Sequence, residues 1–238
     1  MRGNAVSGRP PRDQRAAPQP RRTGRPRVDQ RPVLGDPTEA ILVTAGRLFG
    51  ELGVAGTTMS RLAEEVGLKQ SSLYYYFHSR EAVTAALVAR ANVVPLELID
   101  RIRDEGGSAP AQLHRFVRGD VEALCLLPFD IGEIHRIAAR EHERFGDYWD
   151  ERARLERRLA AIVRRGIADG DLRTVDAVFT ALTIMSNDEG VQNWYRLGTR
   201  RKPADIGDAM ADLVVGGLLS PSRRLVDVVA ESHRLERA

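Results

Sequence analysis

Four aromatic side chains stand next to one another at Tyr74, Tyr75, Tyr76 and Phe77, in a chain of which only 5% is aromatic. An α-helix turns by about 100° per residue, so one buried face cannot take four consecutive rings. If Leu73 points inward, Phe77 lies on the same side, Tyr76 lies at the flank, and Tyr74 and Tyr75 face outward. An exposed tyrosine offers an apolar ring and a hydroxyl, which suit a thymine methyl group and a phosphate oxygen.

Small polar residues precede the rings in the same segment, at Gln70, Ser71 and Ser72. A glutamine side chain can pair with adenine through two hydrogen bonds. The free N–H groups at a helix start also favour phosphate. Residues 70–76 are therefore predicted to lie on a helix that contacts DNA.

Three short helices are predicted around this segment, over residues 36–53, 57–66 and 70–77. Asp36 followed by Pro37 is typical of a helix start, and Gly53 is typical of a helix end. Apolar residues recur at helical spacing in the first two helices. The short connection 67–69 contains a glycine, as in a helix-turn-helix whose second helix enters the major groove of DNA.

The run TTMSRLAEEVGLKQSSLYYYFHSREAV, residues 57–83, resembles the DNA-binding motif of the TetR family of repressors. The resemblance covers residues 36–82 and departs from the family pattern mildly, with Lys69 where serine is usual and Arg80 where lysine is usual. It implies that Gln70, Ser71 and Tyr75 approach base edges. It also implies phosphate contacts for Thr58, Ser60, Ser72, Tyr74, Tyr76 and Arg80.

Three of these positions have alternatives that the sequence leaves open. Tyr76 could belong to the core and close the small domain over the first helix. Arg80 could pair with Glu81 or cap a helix end instead of contacting DNA. Lys69 could add one phosphate contact or point to solvent, and we favour solvent.

The first 35 residues differ in composition from the rest of the chain. They contain nine arginines against two aspartates and six of the twelve prolines, whereas the remainder holds 27 basic and 31 acidic side chains. Residues 1–35 are therefore predicted to be a disordered basic arm that is attracted to a polyanion. Within the arm, RRTGRPRV at 21–28 resembles the AT-hook core, which implies minor-groove contacts by Arg25 and Arg27. The alternatives are non-specific attraction to phosphate and a poorly defined leader.

The rest of the chain shows helical patterns and no sustained alternation of period two, so we predict an all-α fold of about nine helices. Beyond the first three, helices are predicted over 79–103, 109–126, 131–140, 147–168, 175–194 and 204–219. By the TetR resemblance, residues 36–82 form the DNA-binding domain and residues 83–220 a ligand-binding and dimerisation domain. Residues 221–238 are expected to be a C-terminal tail.

An apolar stripe along the last long helix predicts a dimer interface. TetR-type regulators pair through their last two long helices, and a two-fold axis places two recognition helices about 34 Å apart on a palindromic operator. The alternative is that the stripe belongs to the core of one subunit. The predicted interface residues are Phe179, Leu182, Ile206, Met210, Leu213, Val214 and Gly217.

The middle helices are expected to enclose a small-molecule site. The candidate lining residues are Leu87, Phe116, Leu124, Phe129, Ile134, Trp149 and Met185. The segment 190–218 resembles a subgroup of TetR regulators that respond to acyl-CoA thioesters, which implies such a thioester or another hydrophobic compound as effector. Arg140, Arg144 or Arg152 could meet the phosphates of CoA. The alternative is that these arginines form a solvated basic face.

Several classes of protein are disfavoured by the sequence. Because it contains no nucleophile motif, glycine-rich phosphate loop or closely spaced histidine pair, we expect neither an enzyme nor a metal or cofactor site. The single cysteine, Cys125, rules out an intrachain disulfide. The run 213–219 is far shorter than the roughly 20 residues of a membrane span. The basic N-terminus lacks the apolar region of a secretory signal, so we expect a cytoplasmic protein that binds no membrane.

These features predict a ligand-responsive, homodimeric transcriptional repressor that a small molecule releases from a palindromic operator. The alternative is an activator or accessory DNA-binding protein whose C-terminal domain binds a protein partner. A cavity above about 300 Å³ would favour the small-molecule interpretation, and the lack of one would count against it.

Overall fold

The computed structural model describes residues 36–196 and 198–237, so the predicted arm with Arg25 and Arg27 lies outside the described residues. Within the described ranges the chain is all-α, as predicted, with eleven α-helices, a 3-10 helix at Gly190–Asn193 and one isolated bridge between Leu172 and Leu219. The helices are α1 (Pro37–Gly56), α2 (Met59–Val66), α3 (Gln70–Tyr76), α4 (Arg80–Val88), α5 (Val93–Glu105), α6 (Ala109–Leu126), α7 (Ile131–Arg140), α8 (Gly146–Ala168), α9 (Ala177–Glu189), α10 (Pro203–Leu218) and α11 (Leu225–Leu235).

The first three helices begin where local sequence signals place them. The Asp36 side chain accepts a hydrogen bond from the Thr38 N–H at 2.9 Å at the start of α1. Thr58 caps α2 and accepts from the Arg61 N–H at 3.1 Å. The helix α2 ends at Gly67, whose φ of 80° is a left-handed conformation that glycine adopts at little cost. The chain then enters α3 after a three-residue connection.

A small apolar core orients α3. Leu48 and Phe49 of α1, Leu62 of α2 and Leu73 of α3 are fully buried, and Phe77 at the end of α3 is nearly so. The helix α2 contacts both α1 and α3. Because Leu73 is held inside, the opposite side of α3 has to face away from the protein.

Helix α6 is the centre of the larger C-terminal part. All nine of its residues from Ala109 to Val117 are buried. It contacts α5, α8, α9, α10 and α11. A helix that is buried on every side serves as the core around which the others pack.

The helix α10 lies close against the backbone of α6 at Gly207. A Cβ atom at this position would lie 2.6 Å from the backbone carbonyl oxygen of Arg118. Backbone atoms cannot move aside as a flexible side chain can, so only glycine fits without shifting one helix.

We expect Gly207→Ala to lower the free energy of unfolding by about 1–3 kcal/mol, because the added methyl group forces α10 away from α6. The matched control is Gly50→Ala in α1, where a Cβ atom would meet nothing within 4 Å. That change should be neutral or stabilising by up to about 1 kcal/mol. Urea unfolding of both variants measures the difference, and a Gly207→Ala protein as stable as wild type would contradict this packing.

The helix predicted over 79–103 is interrupted. The chain turns at residues 89–92, which separates α4 from α5 and raises the helix count above the expected nine. Pro95 lies in the first turn of α5, where a missing N–H donor costs little. The proline therefore does not bend a continuous helix.

Residues 221–238, which we expected to be a tail, contain α11. Val228 and Ser232 on this helix are fully buried, and α11 contacts α6. Glu231 accepts hydrogen bonds from the Ser108 N–H at 2.7 Å and from the Ser108 hydroxyl at 2.8 Å. These contacts join α11 to residues more than a hundred positions earlier, which a local reading of residues 221–238 does not reveal.

One stretch of the described chain, Arg80–Glu105, has the length and composition of a membrane-spanning segment, with a mean hydropathy of 1.5. The turn between α4 and α5 interrupts it, and 44% of that window is buried inside the protein. Buried core helices of soluble proteins can have the same length and composition, so this stretch is weak evidence for a membrane span.

Candidate nucleic-acid interface and interior cavity

The four consecutive rings divide between the core and the surface as predicted. Leu73 is fully buried and Phe77 is 8% exposed, so Phe77 belongs to the small core. On the outer side of α3, Tyr75 is 86% exposed and Tyr74 is 44% exposed. An exposed tyrosine on a short helix gains nothing from folding, so its apolar surface is available to a partner.

Tyr76 lies at the edge of this outer surface. Its side chain is 39% exposed and packs edge-on against the Tyr75 ring, with ring centroids 5.3 Å apart. Tyr76 is therefore not enclosed in the core, and it supports the position of Tyr75.

The start of α3 is also accessible. Gln70 and Ser71 are exposed and Ser72 is half-buried. Lys69 precedes the helix, is exposed, and makes no side-chain cap, so the first N–H groups of α3 receive no side-chain acceptor from it. In α2, Ser60 is exposed, while the Thr58 hydroxyl already accepts from a backbone N–H.

Arg80 has intramolecular partners, in agreement with the alternative that it pairs with Glu81 or caps a helix end. Its guanidinium donates to the backbone carbonyl of Ala55 at 3.2 Å and to Glu81 at 3.4 Å. The first contact connects α4 to the end of α1. Within the free protein, Arg80 thus holds two elements of the DNA-binding part together.

The predicted dimer interface is largely exposed. Phe179 is 69% exposed and Leu213 is 77% exposed, and Leu182 and Gly217 are also on the surface. Met210 and Val214 are half-buried. Between α9 and α10 lies an open groove of about 430 Å³, lined in part by Phe179, Val214 and Gly217.

Ile206 does not belong to this exposed surface, so the prediction for it was wrong. It is only 2% exposed and forms part of the core of the subunit. Ile206 and Leu213 are seven residues apart and lie on the same side of α10. The environment of that side changes along the helix axis, which an apolar stripe in the sequence does not reveal.

A cavity of about 170 Å³ lies among the middle helices. It is bounded by the α4–α5 connection, α6, the start of α7, α8 and α9. Of the seven predicted lining residues, Leu124 and Met185 line it. The volume is below the roughly 300 Å³ at which drug-sized sites begin.

The other five candidates do not line this cavity. Leu87, Phe116 and Ile134 are buried in the core, because their helices pack directly on one another at these positions. Phe129 borders a separate open groove that faces α1, where it blocks any side chain at Gly46. Trp149 packs against His135, with ring centroids 4.9 Å apart.

The polar residues that line the cavity were not predicted from the sequence. Asp120 of α6, Arg152 of α8 and Glu189 of α9 all face it. Arg152 donates two hydrogen bonds to the Glu189 carboxylate, at 2.5 and 3.0 Å. Asp188, beside Glu189, is fully buried, and one of its carboxylate oxygens has no partner among the described residues. The sequence offered no clear signal for Asp120, because it lies between Arg118 and Glu122 in a segment of mixed polarity.

Asp120 is the least compensated of these charges. Its side chain is 7% exposed, and no hydrogen bond to its carboxylate occurs within the described residues. The pKa of Asp120 is raised to about 7, first by burial and then by the charge of Glu189, with Arg152 opposing the rise. Burial, followed by the charge of Asp120, also raises the pKa of Asp188 well above its usual range.

Burial and then Arg152 lower the pKa of His135, which hydrogen-bonds through Nδ1 to the Tyr148 hydroxyl at 3.2 Å. Burial raises the pKa of that Tyr148 hydroxyl. These residues and the acids Asp120 and Asp188 are therefore polar groups in or near the cavity whose ionisation burial suppresses.

The raised pKa of Asp120 predicts a pH-dependent stability. Between the usual aspartate pKa and pH 7 the folded state holds a proton that the unfolded state has released, so stability falls as the pH rises through this range. We expect Asp120→Asn to remove much of this slope and to add about 2–4 kcal/mol to the free energy of unfolding at pH 8. Urea unfolding of both proteins at pH 5 and pH 8 measures it, and an equal slope would contradict the burial of this charge.

The mouth of the cavity is connected to the DNA-binding part. Arg90, which lines the mouth, forms an ion pair with Glu39 in the first turn of α1. Arg144, before α8, donates to the backbone carbonyl of Glu81 in α4 at 3.1 Å. A displacement of the α4–α5 connection would therefore act on α1 and α4, which hold α2 and α3.

The three arginines proposed for CoA phosphates lie in different surroundings. Arg152 is bound to Glu189, and Arg144 pairs with Glu141 at 2.7 Å. Arg140 and Arg144 are exposed, which agrees with the alternative that these arginines form a solvated basic face and do not bind CoA. Neither of these two lines the cavity.

Comparison with known proteins gives two family matches. The model "Bacterial regulatory proteins, tetR family" matches residues 41–92. The model "Tetracyclin repressor-like, C-terminal domain" matches residues 106–218.

Among curated relatives, the chain is similar to the transcriptional repressor KstR2 of Rhodococcus jostii, with 24% identity over 186 residues that cover 76% of this chain and 90% of the relative. Among solved structures, it is similar to the ketosteroid transcriptional regulator KstR2 of Mycobacterium tuberculosis, at 22% identity and a TM-score of 0.70, over 82% of this chain and all of the other. It is also similar to AibR in complex with isovaleryl coenzyme A and operator DNA, at 20% identity and a TM-score of 0.62, over 78% and 100% of the two chains.

Proposed function

The chain belongs to the TetR family of bacterial regulators, and on that premise we propose that it is a homodimeric repressor which a small molecule releases from a palindromic operator. The observation that carries this proposal is the outer surface of α3, where Tyr75 is 86% exposed and follows the accessible residues Gln70 and Ser71. Gln70, Ser71 and Tyr75 would approach base edges. Thr58, Ser60, Ser72, Tyr74, Tyr76 and Arg80 would approach phosphates.

Arg80 has to exchange partners for that role. Its present contacts, to Ala55 and Glu81, are exposed and individually weak. A phosphate oxygen is a stronger acceptor for a guanidinium than a backbone carbonyl. The intramolecular contacts position Arg80 beside α3 until DNA binds.

The exposed apolar side chains on α9 and α10 support dimerisation. Phe179, Leu182 and Leu213 are large, apolar and exposed on these two helices, which would pair with the same helices of a second subunit. A two-fold interface presents the same surface twice, so each of these residues contributes on both sides. Met210, Val214 and Gly217 would complete the interface, and Ile206 would not.

The effector site would be the interior cavity. A ligand that widens it has to move the α4–α5 connection or α6, and the Arg90–Glu39 ion pair transmits this motion to α1. Because the ligand and the DNA would favour different positions of α4, binding of one weakens binding of the other. An acyl-CoA thioester, the class of compound to which the isovaleryl coenzyme A in the AibR complex belongs, is one hypothesis for the effector of this chain.

A second candidate function is favoured by the small volume of the cavity. At about 170 Å³ it falls short of a drug-sized site, as expected for a regulator or accessory protein whose C-terminal domain binds a protein partner. The two candidates differ in one measurement. A small molecule that raises the melting temperature and abolishes DNA binding supports the first, and a protein that does so supports the second.

Sequence-specific DNA binding tests the proposal directly. The purified protein should retard a DNA fragment from the region upstream of its own gene, and an unlabelled scrambled fragment should not compete. Binding that a scrambled fragment competes for equally well would contradict a specific operator.

The arm offers a separate test, on the basis of its charge alone. Deleting residues 1–31 removes nine arginines and two aspartates. We expect lower DNA affinity and a shallower dependence of log K on log salt, since fewer phosphates are neutralised. Titrations at several salt concentrations measure the slope, and an unchanged slope would show that the arm takes no part.

A further inference from the structure

We propose that the interior cavity binds an amphipathic amine, with its ammonium group against Asp120 and its apolar chain toward the mouth. This rests on the proposed function in one respect, namely that the cavity is the effector site. It differs from the acyl-CoA hypothesis, because it calls for a cationic ligand rather than an anionic one.

The charges around the cavity are unbalanced. Asp120, Asp188 and Glu189 contribute three carboxylates. Two arginines line the cavity and both are already paired, Arg152 with Glu189 and Arg90, at the mouth, with Glu39 of α1. Arg152 donates two hydrogen bonds, both to the Glu189 carboxylate. Asp120 is thus a nine-tenths buried acid that faces the cavity without a donor. A buried carboxylate of this kind needs a proton or a cation.

Because burial raises the pKa of Asp120 to about 7, its carboxyl group is partly protonated near pH 7 when no ligand is bound. An ammonium ion would replace this proton, because a nearby positive charge favours the ionised carboxylate. Amine binding near pH 7 should therefore release protons. Binding of a neutral or anionic ligand should not.

The remaining lining is apolar and leads outward. Leu124, Leu155 and Met185 line the cavity, while Val94 and Leu126 at its edge are 47% and 55% exposed. An apolar cavity of about 150 Å³ holds one benzene ring, so 170 Å³ accommodates a head group and a few carbons. A longer chain would continue past Val94 and Leu126, where it covers exposed apolar surface.

The probe is n-hexylamine, with 1-hexanol and hexanoate as matched ligands of the same chain length. Isothermal titration of the full-length protein without DNA, near pH 7 and in two buffers of different ionisation enthalpy, measures affinity and proton release. We expect hexylamine to bind with proton release, and hexanol and hexanoate to bind at least about tenfold more weakly.

The variants are Asp120→Asn and the control Glu122→Gln. Glu122 lies on the same helix but does not line the cavity. Asp120→Asn should weaken hexylamine binding at least about tenfold and abolish the proton release, whereas Glu122→Gln should leave both unchanged. Circular dichroism checks that Asp120→Asn is folded, and its melting temperature at pH 8 should be at or above that of wild type.

Equal affinity for hexanol and hexylamine, undiminished binding by Asp120→Asn, or no binding of the amine would each overturn the inference. An operator gel shift with the same ligand-free protein separates this result from the function itself. Specific DNA binding without amine binding removes the ligand class and leaves the regulator. Loss of specific DNA binding removes the proposed function whatever the cavity binds.

Discussion

A Gln70→Ala, Tyr75→Ala double variant should bind the operator at least about 30-fold more weakly than wild type, since each base contact contributes on the order of 1–3 kcal/mol. Both side chains are exposed on α3, and neither contributes to the small core around Leu73. The loss should therefore appear in DNA binding and leave the unfolding transition unchanged. Gel-shift titration of both proteins on the same fragment measures it.

The matched control is Trp194→Ala, which removes an aromatic side chain that is 56% exposed and far along the chain from α3. This variant should bind DNA as wild type does. Sequence-specific binding that survives in the double variant would show that α3 does not read the bases. Loss of binding in both variants would point to a general effect of removing exposed rings.

A Leu213→Glu variant should be monomeric at micromolar concentration. Leu213 is a large apolar residue of α10 that is 77% exposed, and a two-fold interface would bring two such glutamates into an apolar contact. An unpaired buried charge costs about 3–5 kcal/mol, so we expect the dissociation constant to rise by about two orders of magnitude or more. Light scattering after size exclusion measures the mass.

Operator affinity should fall with the dimer, because one monomer reaches one half-site only. The control is Val226→Glu on α11, where valine is 64% exposed and outside the predicted interface. It should remain dimeric and bind the operator normally. A dimeric Leu213→Glu protein would place the interface on another surface.

Features that depend on neighbours along the chain could be predicted from the sequence. The cap at Asp36, the turn at Gly67 and the division of Tyr75 from Phe77 all follow from rules that act within a few residues. A helix one or two turns long has a definite inner and outer side as soon as one position, here Leu73, is known to be buried. For this reason the outer surface of α3 was predicted residue by residue.

Features that depend on how remote segments of the chain pack together could not be predicted from the sequence. Ile206 and Leu213 belong to one stripe in the sequence, yet the first is covered by its own subunit and the second is exposed. Periodicity describes the direction of a side chain around a helix axis, and it contains no information on what lies beside each turn. The helix α11 was not predicted for the same reason, since its residue Glu231 is more than a hundred residues from its partner Ser108.

The sequence by itself determined the all-α fold, the helix-turn-helix and the side of α3 that faces outward, because local spacing and capping are sufficient for these. Only the tertiary structure decided where the interior cavity lies and what charge it has. Asp120, Arg152 and Glu189 come from three different helices, and each looks like an ordinary surface charge in its own segment. Their burial, and with it the raised pKa of Asp120, arises only when α6, α8 and α9 pack together and exclude water.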